Sequence, residues 1–110
     1  MQVTHHAQLR MKQRMGLDKK ASTKIANKAL TDGIQSTLTT GAVRKYLDWL
    51  THYDESHFQK IMLYADKVFI FTASDRLITV INLPSAYKQS AHIQIAKIKQ
   101  KQKQLQMIVA

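Results

Sequence analysis

The change of hydrophobic period at Phe58 constrains this chain more than any other feature. Before it, apolar residues recur at helical spacing. After it come three β-rich runs, Phe58 to Tyr64, Lys67 to Thr72 and Leu77 to Leu83. Ala65-Asp66 and Ala73-Ser74-Asp75-Arg76 separate the runs, and gaps this short close as hairpins, so an antiparallel meander is expected. In the last run Leu77, Thr79, Ile81 and Leu83 share one face and Ile78, Val80 and Asn82 the other, which reads as a central strand covered on both sides. Pro84 ends it.

The N-terminal half reads as helices. Gln2 and Val3 form a lead-in or short strand, Thr4 is an N-cap, and Gly16 terminates a helix over Thr4 to Met15. Leu9 points away from the polar side and offers a surface to bury. Asp18 caps a second helix over roughly residues 19–31, with Ala21, Ile25, Ala26, Ala29 and Leu30 as its apolar face and Asp32-Gly33 as its stop. Residues 34–41 are rich in Ser and Thr and read as a connecting loop. A third helix runs from Ala42, with Val43, Tyr46, Leu47 and Leu50 at helical spacing, and Tyr46 and Trp49 are expected in the core. His52 to His57 reads as a polar loop without a metal-ligand spacing. Ser85 caps a last helix that packs through Tyr87, Ala91, Ile95 and Ile98, and residues 97–110 read as a basic, partly flexible helical tail. The expected fold is α+β: N-terminal helices on one face of a three-stranded or slightly larger antiparallel meander, with a C-terminal helix.

A chain of 110 residues builds one domain, here 1–110, and the absence of cysteine excludes disulfides and thiolate chemistry. No apolar run reaches membrane-spanning length and no secretion signal opens the chain, so a cytoplasmic protein is expected. Charge is the strongest global signal: 17 basic against 7 acidic residues give a formal net charge of +10. It is polarised, since both ends are basic and residues 31–66 are mildly acidic. Such a field favours a polyanionic partner, nucleic acid first.

The chemistry-bearing pattern lies in the first helix. His6, Arg10 and Arg14 recur every four residues and so stack along one stripe. An imidazole moves protons near neutral pH, while guanidiniums hold phosphate in a bidentate fork. His5, about 100° round the helix, cannot share that stripe and reads as a solvated residue. A second cationic ridge follows from Lys20, Lys24 and Lys28, and with Lys12 and Lys19 these lysines are the candidate nucleic-acid contacts. The chain holds no glycine-rich phosphate loop and no paired-carboxylate arrangement, and no cofactor is implied.

The opening Thr4-His5-His6-Ala7…Arg10…Arg14…Gly16-Leu17 resembles a group of small phage-linked and mobile-element proteins of unknown function. Tyr64-Ala65-Asp66-Lys67-Val68-Phe69-Ile70-Phe71 and Leu77-Ile78-Thr79-Val80-Ile81-Asn82-Leu83-Pro84 resemble that group's hairpin and strand. The His-Ala-x2-Arg opening is similar to the barnase/EndoU/colicin/RelE-like (BECR) superfamily, in which N-terminal helices pack on a small antiparallel sheet and many members are metal-independent endoribonuclease toxins. The resemblance implies an RNase or an inactive relative, with His6 and Arg10 matching the motif. Arg14 then joins Arg10 on the phosphate, and Tyr64 or Thr79, or the amide of Asn82, completes the site from the sheet. One departure is Ala65, where related sequences often carry glycine.

Two further readings use the same charge. One is a phage-encoded, non-enzymatic inhibitor of a host nucleic-acid-targeting defence system, acting through a basic surface on nucleic acid or on a host nucleic-acid-binding complex. The other is a DNA-binding accessory protein that uses Ala21 to Leu30 as a recognition helix, though without a helix-turn-helix spacing. The enzyme reading requires a concave pocket where His6, Arg10 and a sheet hydroxyl converge; the inhibitor reading requires a flat or convex basic face.

Overall fold

The computed structural model describes residues 2–50 and 59–109. Helices α1 (His5–Met15) and α2 (Lys19–Asp32) come first, followed by strand β1 (Ile34–Gln35), a 3-10 turn (Ser36–Leu38) and helix α3 (Gly41–Leu50). Strands β2 (Gln59–Tyr64), β3 (Lys67–Thr72) and β4 (Leu77–Asn82) and helix α4 (Ser85–Val109) complete the α+β fold. The sheet is antiparallel in the order β1-β2-β3-β4. None of the described helices is long and apolar enough to cross a membrane.

The helix limits follow from local chemistry. The Thr4 hydroxyl accepts the Ala7 N–H at 3.1 Å, and Asp18 accepts the Ala21 N–H at 2.8 Å, so each cap satisfies a donor that its helix cannot. Gly16 ends α1 at φ 66°, and its N–H returns to the Lys12 carbonyl at 3.0 Å. Gly33 serves differently: a Cβ there would stand 2.3 Å from the Ala29 carbonyl oxygen and 3.1 Å from that of Leu63. The chain leaves α2 through a gap that admits only backbone, and Ile34 then pairs with Leu63.

The expectation of a plain loop over residues 34–41 is therefore corrected. Ile34 is buried, and its pairing adds a fourth strand. A two-residue strand in a Ser/Thr-rich stretch leaves too little period to read.

Helices cover both faces of the sheet, not one. Ala7, Met11, Ala26 and Ala29 of α1 and α2 pack on Met62, Phe69, Phe71, Leu77 and Val80. Val43, Leu47 and Leu50 of α3 and Ala91 of α4 pack on Ile61, Leu63, Val68 and Ile70 opposite. Strands β2 and β3 are buried from both sides and read as unbroken apolar runs. They are the central pair, and β4, expected to be central, is an edge strand. Burying Phe69 and Phe71 completely contributes on the order of 2 kcal/mol each.

A register shift at Ile70/Phe71 changes the faces of β4. Phe71 pairs with Leu77 but Ile70 pairs with Thr79, so Ile78 is the extra residue of a β-bulge. Leu77 joins Val80 under α1, while Ile78, Thr79, Ile81 and Leu83 fall on the α3 side. Simple alternation placed Leu77 with Thr79; the bulge separates them.

The C-terminal stretch is helical to Val109. Tyr87, Ala91 and Ile95 pack against the α3 side, and residues 99–107 are all exposed.

Two stability predictions follow. Ala65 and Asp66 adopt φ 51° and 60° in the β2–β3 turn, a left-handed pair for which Ala is poorly suited. Ala65→Gly is expected to stabilise by about 1 kcal/mol, a rise in Tm of roughly 4 °C in a thermal melt. The Ser22 hydroxyl is fully buried without a hydrogen-bond partner. Ser22→Ala is expected to raise the urea midpoint, worth about 1 kcal/mol, and a lowered midpoint would show that the hydroxyl is satisfied in solution.

Candidate functional site

Helix α1 is fastened along the free edge of β4. Thr4 N–H donates to the Leu77 carbonyl at 3.1 Å and Leu77 N–H donates to that of Gln2 at 3.0 Å, so Val3 forms a parallel bridge to Leu77. The Thr4 hydroxyl also donates to the Ile78 carbonyl at 3.3 Å, and at the far end of the helix an Arg14 guanidinium nitrogen donates to the Val80 carbonyl. Outward-facing carbonyls of an edge strand are thereby satisfied. The helix buries Ala7 and Met11, which are four residues apart; Leu9, expected as its buried anchor, is 46% exposed.

With that side buried, the His6–Arg10–Arg14 stripe faces the trough between β4 and α3. The three side chains line a cavity of about 430 Å³. Ile78, Thr79 and Ile81 of β4 and Ile70 of β3 form its floor, and Tyr46, Trp49 and Leu50 of α3 form its far wall. Thr79 reaches it because of the bulge. His6 is exposed and both arginines are half-buried. No carboxylate is among the described residues that line it.

The arginines are pre-oriented. Arg10 donates from Nε to His6 Nε2 at 3.4 Å and from Nη1 to the Gln13 side-chain oxygen at 2.9 Å. Only a neutral imidazole with its proton on Nδ1 accepts the first of these bonds. Arg14 is held by Val80. Two guanidiniums without a carboxylate beside them, in a partly desolvated trough with an apolar wall, attract an anion, and a phosphate oxygen matches their donors. Tyr46 supplies a phenol whose pKa is raised, first by burial and then by the neighbouring Tyr87, so it stays protonated through the neutral range.

The structure thus brings His6, Arg10, Arg14 and Thr79 together and leaves Tyr64 out. In β2, Tyr64 shares the face of Met62, toward α1 and α2, where its ring meets Phe69 edge-on with centroids 6.2 Å apart. Strand parity sends it through the opposite side of the sheet. Asn82, exposed at the end of β4, does not line the cavity either.

The lysine ridge is separate. Lys19, Lys20 and Lys24 line a shallow depression with Thr23 and Asn27 that shares no residue with the His6 cavity, while Lys12 and Lys28 are exposed. The His52–His57 stretch lies outside the described residues.

The expectation that Trp49 is core is corrected, since it is 62% exposed. Leu47 is buried, and a residue two positions on lies about 200° round the helix, on the opposite side. That angle was the available signal for both Trp49 and the wall it builds. Tyr46 is half-buried and lies between two rings, 6.5 Å from Trp49 at 24° and 4.9 Å from Tyr87 at 13°.

Comparisons with protein-family models, curated proteins and solved structures found no match to this chain.

The two arginines differ in what they support. Arg14→Ala removes the donor to an edge-strand carbonyl and is expected to destabilise by about 1 kcal/mol in denaturant unfolding, whereas Arg10→Ala, whose partners are exposed side chains of its own helix, is expected to change stability by less than about 0.5 kcal/mol.

Proposed function

We propose that the protein binds RNA in the His6–Arg10–Arg14 cavity and cleaves it there as a metal-independent endoribonuclease. The observation that carries this reading is the convergence of an imidazole, two guanidiniums and the Thr79 side chain in one concave trough without a lining carboxylate among the described residues. The resemblance of the opening motif to the BECR superfamily points the same way.

A phosphodiester seated on Arg10 and Arg14 presents the neighbouring ribose to His6. With Arg10 turned from His6 Nε2 onto the phosphate, that nitrogen takes the proton of the 2′-hydroxyl, whose oxygen bonds to phosphorus as the bond to the 5′-oxygen breaks. Arg10 and Arg14 stabilise the charge that builds on the phosphoryl oxygens. The leaving 5′-oxygen takes a proton from the Tyr46 phenol, which burial keeps in its acid form. The products are a 2′,3′-cyclic phosphate and a 5′-hydroxyl, and DNA, lacking the attacking hydroxyl, is not cut.

The exposed lysines of α2 add sequence-independent attraction to the polyanion. The inhibitor reading asks for a flat or convex basic face, and the concavity at His6 favours the enzyme. A cytoplasmic site of action in a bacterial host, as a phage-linked toxin, accords with this reading.

The test uses purified protein with a fluorescent oligoribonucleotide in the presence of EDTA. Cleavage is expected to persist in EDTA and to fall at least about 100-fold in His6→Ala, with binding retained. Arg10→Ala is expected to weaken binding and flatten its salt dependence. Cleavage at the unaltered rate by His6→Ala would remove the catalytic assignment, and affinity that ignores salt would remove the phosphate assignment.

A further inference from the structure

We infer that the nucleic acid taken by this site is single-stranded, with an unpaired base laid against Trp49 beside the phosphate on Arg10 and Arg14. This rests on the RNA-binding reading above and names the form of RNA.

Tyr46, Trp49 and Tyr87 form a run of near-parallel rings that joins α3 to α4, with interplanar angles of 24° and 13°. Trp49 is 62% exposed and so presents aromatic surface to the solvent. Tyr46 and Trp49 line the arginine cavity and also a second depression of about 600 Å³ on their other side, which Lys45, Pro84 and Tyr87 help to line. The aromatic wall therefore stands between two spaces, one cationic through Arg10 and Arg14, the other through Lys45.

That arrangement suits a strand whose phosphates follow the cations while a base meets the rings. Every base has a π-face, so stacking is tolerant of sequence, and a cationic groove with aromatic side chains is how sequence-tolerant single-strand binders work. A base inside a duplex is covered on both faces by its neighbours and cannot reach Trp49 unless it is extruded. An apolar or acidic protein segment matches the rings less well, because it would leave either the arginines or the aromatic surface without a complement.

Trp49 is the only tryptophan in the chain, so its emission reports this contact directly. The experiment titrates the full-length protein with a 2′-O-methylated octaribonucleotide, which cannot be cleaved, with the same strand annealed to its complement, and with a base-free ribose-phosphate oligomer. Saturable quenching by the single strand is expected, with little from the duplex or the base-free oligomer. By anisotropy, Trp49→Ala is expected to weaken single-strand binding about 5- to 100-fold, with Trp49→Phe restoring most of it.

Duplex binding as tight as single-strand binding, or emission that no oligonucleotide alters, overturns the inference. If Trp49→Ala binds like the unaltered protein while Arg10→Ala is weakened, stacking is wrong and the RNA reading stands. If no RNA binds at any salt concentration, both fail, and the exposed rings belong to a protein contact.

Discussion

The fastening of α1 to the free edge of β4 is the constraint on which the site depends. An edge strand carries outward carbonyls that need donors, and here a threonine hydroxyl, a backbone amide and a guanidinium supply them. These bonds fix the helix in rotation as well as in position. Ala7 and Met11 then face the core, and the stripe four residues apart has one direction left, toward α3. Arg14 takes part in both roles: it holds the edge through Val80 and offers its remaining donors to the trough. One side chain thus both protects the sheet edge and lends positive charge to the trough.

The bulge at Ile78 is the second determinant. In regular alternation Thr79 would turn toward α1 and the core beneath it, and the trough would have no hydroxyl on its floor. One inserted residue reverses the parity and delivers Ile78 and Thr79 side by side into the cavity. Bulges commonly re-aim side chains at strand edges and beside functional sites, and this one sits at both. The apolar residues on either side, Ile70 and Ile81, make the floor apolar, and a low-dielectric wall strengthens the guanidinium field above it.

Much of this was legible in the residues, and the rest was hidden for identifiable reasons. Thr4, Gly16 and Asp18 mark helix ends because capping is a local reaction between these residues and the nearest backbone groups. The three strand runs and their gaps are equally local, as is the four-residue recurrence of His6, Arg10 and Arg14. What could not be read is tertiary. Ile34 pairs with Leu63 across a long separation, Tyr64 falls on the sheet face away from the His6 trough only once sheet neighbours are known, and nothing in Leu77-Ile78-Thr79 announces a bulge. Trp49 is a different kind of miss: the helical angle from Leu47 placed it outside the core, and its size argued, wrongly, for burial.

Helix α4 has a consequence of its own. Beyond Ile98 it carries Lys99, Lys101 and Lys103 alternating with glutamines, every side chain from residue 99 to residue 107 is exposed, and no acid lies on the helix. Lys97 with Lys101 and Lys99 with Lys103 are like charges one turn apart, which strain a helix that has no packing to hold it. Counterions or a polyanion laid alongside relieve that repulsion. The end of α4 is thus held against its own charge, and added salt, by screening the lysines from one another, favours its helix.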